Sequence, residues 1–158
     1  MPDIKEALSL KLQSSSFPVE IAKVREFATS LLDDSPVYRS TAAARAAGLR
    51  DMPVPVTLPM CAIYSEPGTS ALMAVLDAAI AKRGMLLHGE QEFTYNRPVY
   101  VGEKFTVNQK VVNVYEKPNA KGGMMAFFEA ESEYIDADGK VACTSRGTFI
   151  ERRPAPKA

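Results

Sequence analysis

The sequence predicts an α+β domain, with helices gathered on one side of an antiparallel sheet. Two observations lead there. Apolar residues recur at helical spacing as far as Arg83, and after Gly84 the period changes to two. Turn signals then cut the second half into strand-length pieces with no helical pattern between them. The 158 residues match the usual size of one domain, enough to bury a core.

Residues 1–16 carry a short apolar pattern (Ile4, Leu8, Leu12) and end in three serines, which reads as an N-terminal arm, frayed or docked. Phe17-Pro18 opens a domain over 17–152, and 153–158 form a tail. From Val19 to Leu32, Ile21, Val24, Ala28 and Leu31 mark one face of an amphipathic helix, stopped by Asp33-Asp34-Ser35-Pro36. Residues 40–47 begin with N-cap residues and end at Gly48, a C-cap. Residues 52–59, MPVPVTLP, hold three prolines and must be extended and stiff. Helical pattern resumes near Thr57, breaks at Ser65-Glu66-Pro67-Gly68, and resumes from Thr69 to Arg83. That last segment is apolar nearly all round, as a helix buried against a sheet would be.

The strands follow. Residues 86–95 form one, and a turn with Arg97-Pro98 and Gly102 leads to KFTVNQKVVNVYE, whose phase slips at Val111-Val112 and predicts a bulge. Asn119–Gly123 is turn chemistry. MMAFFEAESEYI then puts Met124, Ala126, Phe128, Ala130 and Tyr134 on one face and Glu129, Glu131 and Glu133 on the other. Asp136-Ala137-Asp138-Gly139 signals a hairpin before the last strand. The four strands read as a meander around one long central helix.

Composition excludes several functions. The chain has 19 Lys plus Arg against 19 Asp plus Glu, so no basic patch large enough for nucleic acid is expected. Cys61 and Cys143 stand 82 positions apart in no metal-ligand spacing, and no metal or other cofactor is implied. No run approaches the ~20 apolar residues of a membrane span. Asp3, Lys5 and Glu6 interrupt the place of a signal-peptide apolar region, so a cytoplasmic location is expected. Arg97 and Lys104 are candidate phosphate contacts.

Two segments carry a family resemblance. Asp33-Asp34-Ser35-Pro36-Val37-Tyr38, with Ala44 six residues beyond Tyr38, resembles the Asp-x-Asn-Pro-x-His signature of the MaoC-like hydratase/dehydratase family, which an Ala follows at the same distance. Here Ser35 stands in place of Asn and Tyr38 in place of His. LLHGEQEFTYNRPVYVGEKF, residues 86–105, resembles the strand and turn of that family's N-terminal-type half domain. The resemblance spans about residues 17–152 and implies a single hot-dog fold, a long central helix wrapped by an antiparallel sheet. It also implies an acyl thioester substrate, on CoA or on acyl carrier protein, and hydration of an enoyl group or its reverse. Subunits with this His-to-Tyr change resemble the noncatalytic partners of heterodimeric (3R)-hydroxyacyl thioester dehydratases. They shape the acyl pocket for a chain that keeps the intact Asp and His.

The chemistry explains why the change matters. Hydration needs a group to hold and deprotonate water, a proton donor, and N–H groups on the thioester carbonyl. A tyrosine with a pKa near 10 donates but rarely serves as a base. The catalytic candidates are therefore Asp33, Tyr38 and His88, and the substrate contacts Val56, Thr57 and Tyr64. Each has a plainer reading beside it. Asp33 suits any helix-ending turn, and Tyr38 any packed aromatic. His88, the only histidine, is either an acid/base or a structural residue on the strand face shared with Glu90 and Glu92. Val54–Thr57 would aim N–H groups at a carbonyl, as other helix starts do. Asp77 on the central helix suggests the different chemistry of a thioesterase, or a solvated carboxylate. Three alternatives to the partner-subunit reading stand: a self-sufficient homodimeric hydratase, a thioesterase, and a binding module that holds the thioester without turnover.

Overall fold

Burial alternates along each strand after residue 84, and that alternation builds the molecule. The computed structural model describes residues 4–9, 11–64, 85–120 and 122–153. Five strands form one antiparallel sheet: β1 Ser15–Pro18, β2 Met85–Tyr95, β3 Lys104–Pro118, β4 Met124–Ile135 and β5 Val141–Arg153, in the order β1-β3-β4-β5-β2. Helix α1 spans Ile21–Ser30 and α2 spans Thr41–Ala46, with 3-10 turns at Ile4–Ser9, Pro36–Tyr38 and Leu58–Tyr64. The helix expected over Thr69–Arg83, the break at Ser65–Gly68 and Asp77 lie outside the described residues.

Local chemistry sets the element ends as the sequence predicts. Ser40 Oγ accepts from the Ala43 N–H at 3.1 Å and caps α2, while Gly48 takes φ +84° just beyond it. The Asp136 carboxylate accepts from the N–H groups of Asp138 and Lys140, and Gly139 sits at φ +78° in that hairpin. The bulge falls between Val111 and Asn113.

The arm is docked, one of its two readings, with Ala7 buried beside Val111 and Val114. Three features differ from expectation. The last serines of the arm begin a short strand, β1, against β3. Four residues, two of them serine, are too few to show a strand period. The strands do not run as a simple meander either, because β2 crosses to the far edge and pairs with β5. Its exit, residues 96–103, is occupied with the proline-rich segment instead of a hairpin: Val54 N–H donates to the Val99 carbonyl and Val101 N–H to that of Met52. Arg97, a candidate phosphate contact, is held here by Glu103 at 2.8 Å and Asp136 at 3.0 Å.

The core lies on one face of the sheet, with Phe17, Val24, Met52, Leu58, Phe105, Val107, Tyr134 and Cys143 in its larger cluster. Glu151 is the exception among these apolar positions. It is fully buried; its Oε2 accepts from Arg153 Nε at 3.0 Å and Nη2 at 2.8 Å, and its Oε1 has no hydrogen-bond partner. Truncation of Arg153 strands that carboxylate, so Arg153→Ala is expected to lose about 3–5 kcal/mol in urea melts. Loss of a few tenths only would mean the pair is not a buried one in solution.

Helix α1 ends in a Schellman arrangement, Asp33 N–H to Ala28 carbonyl at 2.9 Å and Leu32 N–H to Thr29 carbonyl at 3.0 Å. Its left-handed residue is Leu32, at φ 58° and almost fully exposed. A side chain there is strained and contributes little burial. Leu32→Gly is expected to add about 1 kcal/mol of stability and raise Tm by roughly 2–4 °C, measured by calorimetry.

Candidate functional site

The register places core-facing side chains in transverse rows. Val107, Tyr134, Cys143 and Tyr95 form one row, and Val114, Phe128, Phe149 and His88 form another. Between them run two rows that include Ser132, Ser145, Ala130 and Gly147.

The first row carries polar tips in apolar surroundings, and each finds a partner. Tyr134 Oη donates to the Pro59 carbonyl at 2.6 Å, and Tyr95 Oη to the Val56 carbonyl at 2.8 Å. Both acceptors lie in the proline-rich segment, so the sheet holds that segment through two phenols. Burial pushes both hydroxyls well above the usual tyrosine range, with the neighbouring Cys143 adding to it. Burial likewise pushes the Cys143 thiol up to about 11, and raises Cys61 while nearby Lys23 pulls it back. The row is proton-retaining: it can donate hydrogen bonds at neutral pH, but none of its members is a base.

Asp33 and Tyr38 are brought together at this end of the sheet. Asp33 Oδ1 accepts from the Ser35 N–H at 2.9 Å, and its carbonyl accepts from Arg39 Nη2 at 3.0 Å. Tyr38 packs half-buried against the larger core cluster. Its pKa is raised by burial first and by the Asp33 charge second, which keeps the phenol protonated.

His88 is elsewhere. The sequence puts it on the face of Glu90 and Glu92, but a bulge between His88 and Glu90 inserts Gly89 and reverses the phase. Phe149 therefore lies opposite His88, the rings stack at 4.9 Å, and His88 Nε2 meets Gln91 Oε1 at 3.1 Å. A Cβ on residue 89 would come within 2.8 Å of the Ile150 side chain, which is why glycine fits there. From Cys143, opposite Tyr95, to Phe149 is about 20 Å along β5, at roughly 3.3 Å per residue. His88 and the Asp33–Tyr38 pair thus sit at opposite ends of the face and cannot share a proton within one chain.

Val56 is largely exposed and Thr57 exposed, at the entry to Leu58–Tyr64. Tyr95 holds the Val56 carbonyl, and in a trans peptide the Thr57 N–H points the opposite way. Tyr64 closes the 3-10 segment; its side chain lies outside the described residues. Sequence reasoning missed Tyr95, Tyr134 and Cys143. The period-two pattern placed Tyr134 in the core, but nothing local indicates which carbonyl a buried hydroxyl will meet. Among the described residues no three His, Cys, Asp or Glu side chains gather to hold a metal, and no helix is long and apolar enough to cross a membrane.

A curled antiparallel sheet with few helices, its core on one face, defines a hot-dog domain. The chain belongs to the family described as FAS1-like, dehydratase domain region, whose model matches residues 8–145. It is 36% identical over 130 residues to a UPF0336 protein of Clavibacter michiganensis subsp. michiganensis, covering 82% of each chain. In fold it is similar to a chain of the ChsH1-ChsH2 complex from Mycobacterium tuberculosis, at TM-score 0.75 and 20% identity over 98% of this chain and 94% of that one. It is also similar to a chain of the HadBC (3R-hydroxyacyl-ACP dehydratase) complex of the same organism, at TM-score 0.66 and 20% identity over 86% and 90%.

The raised thiol sets an alkaline limit on stability. The unfolded chain releases the Cys143 proton near pH 9.0 and the folded chain near 11, so this contribution is whole below pH 9 and is lost as the pH rises towards 11. Urea melts should show stability falling from about pH 9. In Cys143→Ala the fall between about pH 9 and 10 should be shallower, keeping only the part that Cys61, also raised by burial, contributes, and should steepen near pH 10, where the unfolded tyrosines titrate.

Proposed function

We propose that the chain is a subunit of an enoyl-thioester hydratase or 3-hydroxyacyl-thioester dehydratase, shaping the acyl pocket for a catalytic hot-dog partner. The observation that carries this reading is the separation of its only histidine from Asp33 and Tyr38. Every titratable side chain described near that pair in the Tyr95 row is a phenol or thiol with a raised pKa. Beyond the Asp33 carboxylate, which has no histidine to work with, acid/base groups for water activation come from a partner. Two of the solved relatives in fold are chains of two-protein complexes by their names, one of them a 3R-hydroxyacyl-ACP dehydratase. In this chain β2 is an edge strand whose outer backbone groups can pair with a partner strand.

The roles follow from the geometry. Tyr38, locked protonated, donates a hydrogen bond to water or to the thioester. Asp33 sets its surroundings by charge. The Thr57 N–H, with Val56 beside it, contacts the thioester carbonyl, and Tyr64 contacts the substrate from the far end of the 3-10 segment. His88 contributes at the β2 edge, facing the partner. The carrier is CoA or an acyl carrier protein, recognised through the thioester that both share.

Enoyl-CoA hydration by the purified chain, with and without a MaoC-like partner bearing an intact Asp-x-Asn-Pro-x-His, tests this. The chain alone should turn over at least about 100-fold more slowly than the pair, the usual contribution of a positioned general base. Tyr38→Phe should slow the pair with its KM little changed. Robust turnover by the chain alone, abolished in His88→Ala, would sink the proposal and establish the self-sufficient homodimer.

A further inference from the structure

The outer face of the sheet should be polar throughout, and for most of its length it is. Glu129, Glu131 and Glu133 of β4 and Glu90 and Glu92 of β2 all point there. One row breaks the rule. Tyr115, Phe127, Ile150 and Leu87 stand opposite one another across β3, β4, β5 and β2, an apolar stripe about 14 Å wide at ~4.8 Å per strand. Tyr115 and Phe127 stack at 4.7 Å, which accounts for those two as a cross-strand pair. It does not account for Leu87 at 41% exposure or for Met85 in the next row at 61%. An apolar band rimmed by charge on a solvated face marks an interaction surface.

The rims have opposite sign. On one side of the stripe lie Lys117 and Arg152, two residues further along β3 and β5. On the other lie Glu129 and Glu90, flanking Thr148 of β5. A surface of this kind is complementary to itself. A twofold axis laid along the stripe puts the basic rim of one copy over the acidic rim of the other. It also keeps each strand over its own counterpart, so Arg152 comes down over Thr148, between Glu129 and Glu90. At that place the outer face has a shallow concavity of about 550 Å³, lined by Glu90, Glu92, Glu129, Arg146 and Thr148. A guanidinium entering it meets more carboxylate than cation.

We propose that two copies of this chain pack face to face through the outer surface of the sheet, stripe on stripe, with Arg152 of each seated in the acidic concavity of the other. The contact is on the side away from the core face and the Asp33–Tyr38 end. It stands whether or not the chain needs a catalytic partner, and it leaves the β2 edge open to one.

The test is a reciprocal charge swap read by light scattering on the full chain at tens of micromolar, with urea melts to confirm folding. Arg152→Glu and Glu90→Arg each place like charges at both symmetric contacts, so each variant alone should show half the mass of the wild type. Mixed together, the two variants meet with opposite charges at both contacts. The native Glu90 of one faces the native Arg152 of the other, and the two substituted side chains face each other with the charges exchanged. The wild-type mass should then return. An edge-to-edge association through β2 would not respond to Arg152→Glu, which lies on the interior strand β5. Wild-type mass in both single variants, or no recovery on mixing, would overturn the proposal. So would a wild-type chain that stays at the variants' mass and instead sediments with phosphatidylglycerol vesicles, since the stripe would then meet a membrane surface.

Discussion

Two phenols hold the arrangement of this domain. Tyr95 and Tyr134 stand in one row of the core face and donate to the carbonyls of Val56 and Pro59. A buried hydroxyl without an acceptor costs roughly 1–3 kcal/mol, so each tyrosine requires a carbonyl at one place. A proline-rich segment answers well, because Pro59 offers a carbonyl to Tyr134 and brings no N–H that must also be satisfied. The stiff segment cannot slide without breaking both bonds. Its position fixes where Thr57 stands, and its backbone pairing with Val99 and Val101 fixes where the chain leaves β2.

The same row decides what chemistry the site can support. In water a phenol and a thiol titrate near 10 and 9, and burial moves both upward here. Tyr38 behaves alike, with Asp33 reinforcing the shift. An aspartate beside a tyrosine therefore does not make a base of the phenol; it makes the phenol a firmer acid form. Where a histidine would accept a proton near neutral pH, Tyr38 can only orient and donate.

Much of this was legible in the sequence, for identifiable reasons. Strand periods survive wherever one face is buried, so β3 and β4 could be placed, and the doubled valine at 111–112 announced its own bulge. Caps and hairpins are local chemistry, and Ser40, Gly48 and Asp136–Gly139 behaved locally. The Gly89 bulge was not legible, because the register shift and the Ile150 side chain that favours glycine there belong to the pairing with a strand far along the chain. That single insertion moved His88 from the acidic face to the core face and removed it from the neighbours the sequence suggested. Strand order was hidden for a similar reason: whether β2 pairs with β3 or β5 depends on what the 96–103 connection bonds to. Asp33 and Tyr38 were found through a motif, and their closeness follows from the short turn between them. Tyr95 and Tyr134 act across 39 and 75 residues, beyond any local signal.

Glu151 shows how far the period rule reaches and where chemistry takes over. Cys143, Ser145, Gly147, Phe149 and Glu151 alternate onto the core face, so parity alone would bury the glutamate. Composition argues the reverse, since a lone carboxylate is among the least favourable groups to bury. Parity prevails because β5 is paired on both sides by β4 and β2, and rotating one residue outward would break the ladder on each. Arg153 then resolves the conflict from two residues on, on the same face, reaching back to Glu151 and across to Glu116 at 2.6 Å. A guanidinium spans the two carboxylates where a lysine's point charge would hold one, so the end of the sheet farthest from Tyr95 is closed by a charge network. With the proton-retaining row at one end and this network at the other, the rows between them, Ser132, Ser145, Ala130 and Gly147, are the stretch of core face where small side chains let Met60, Ile63 and Gln91 pack close.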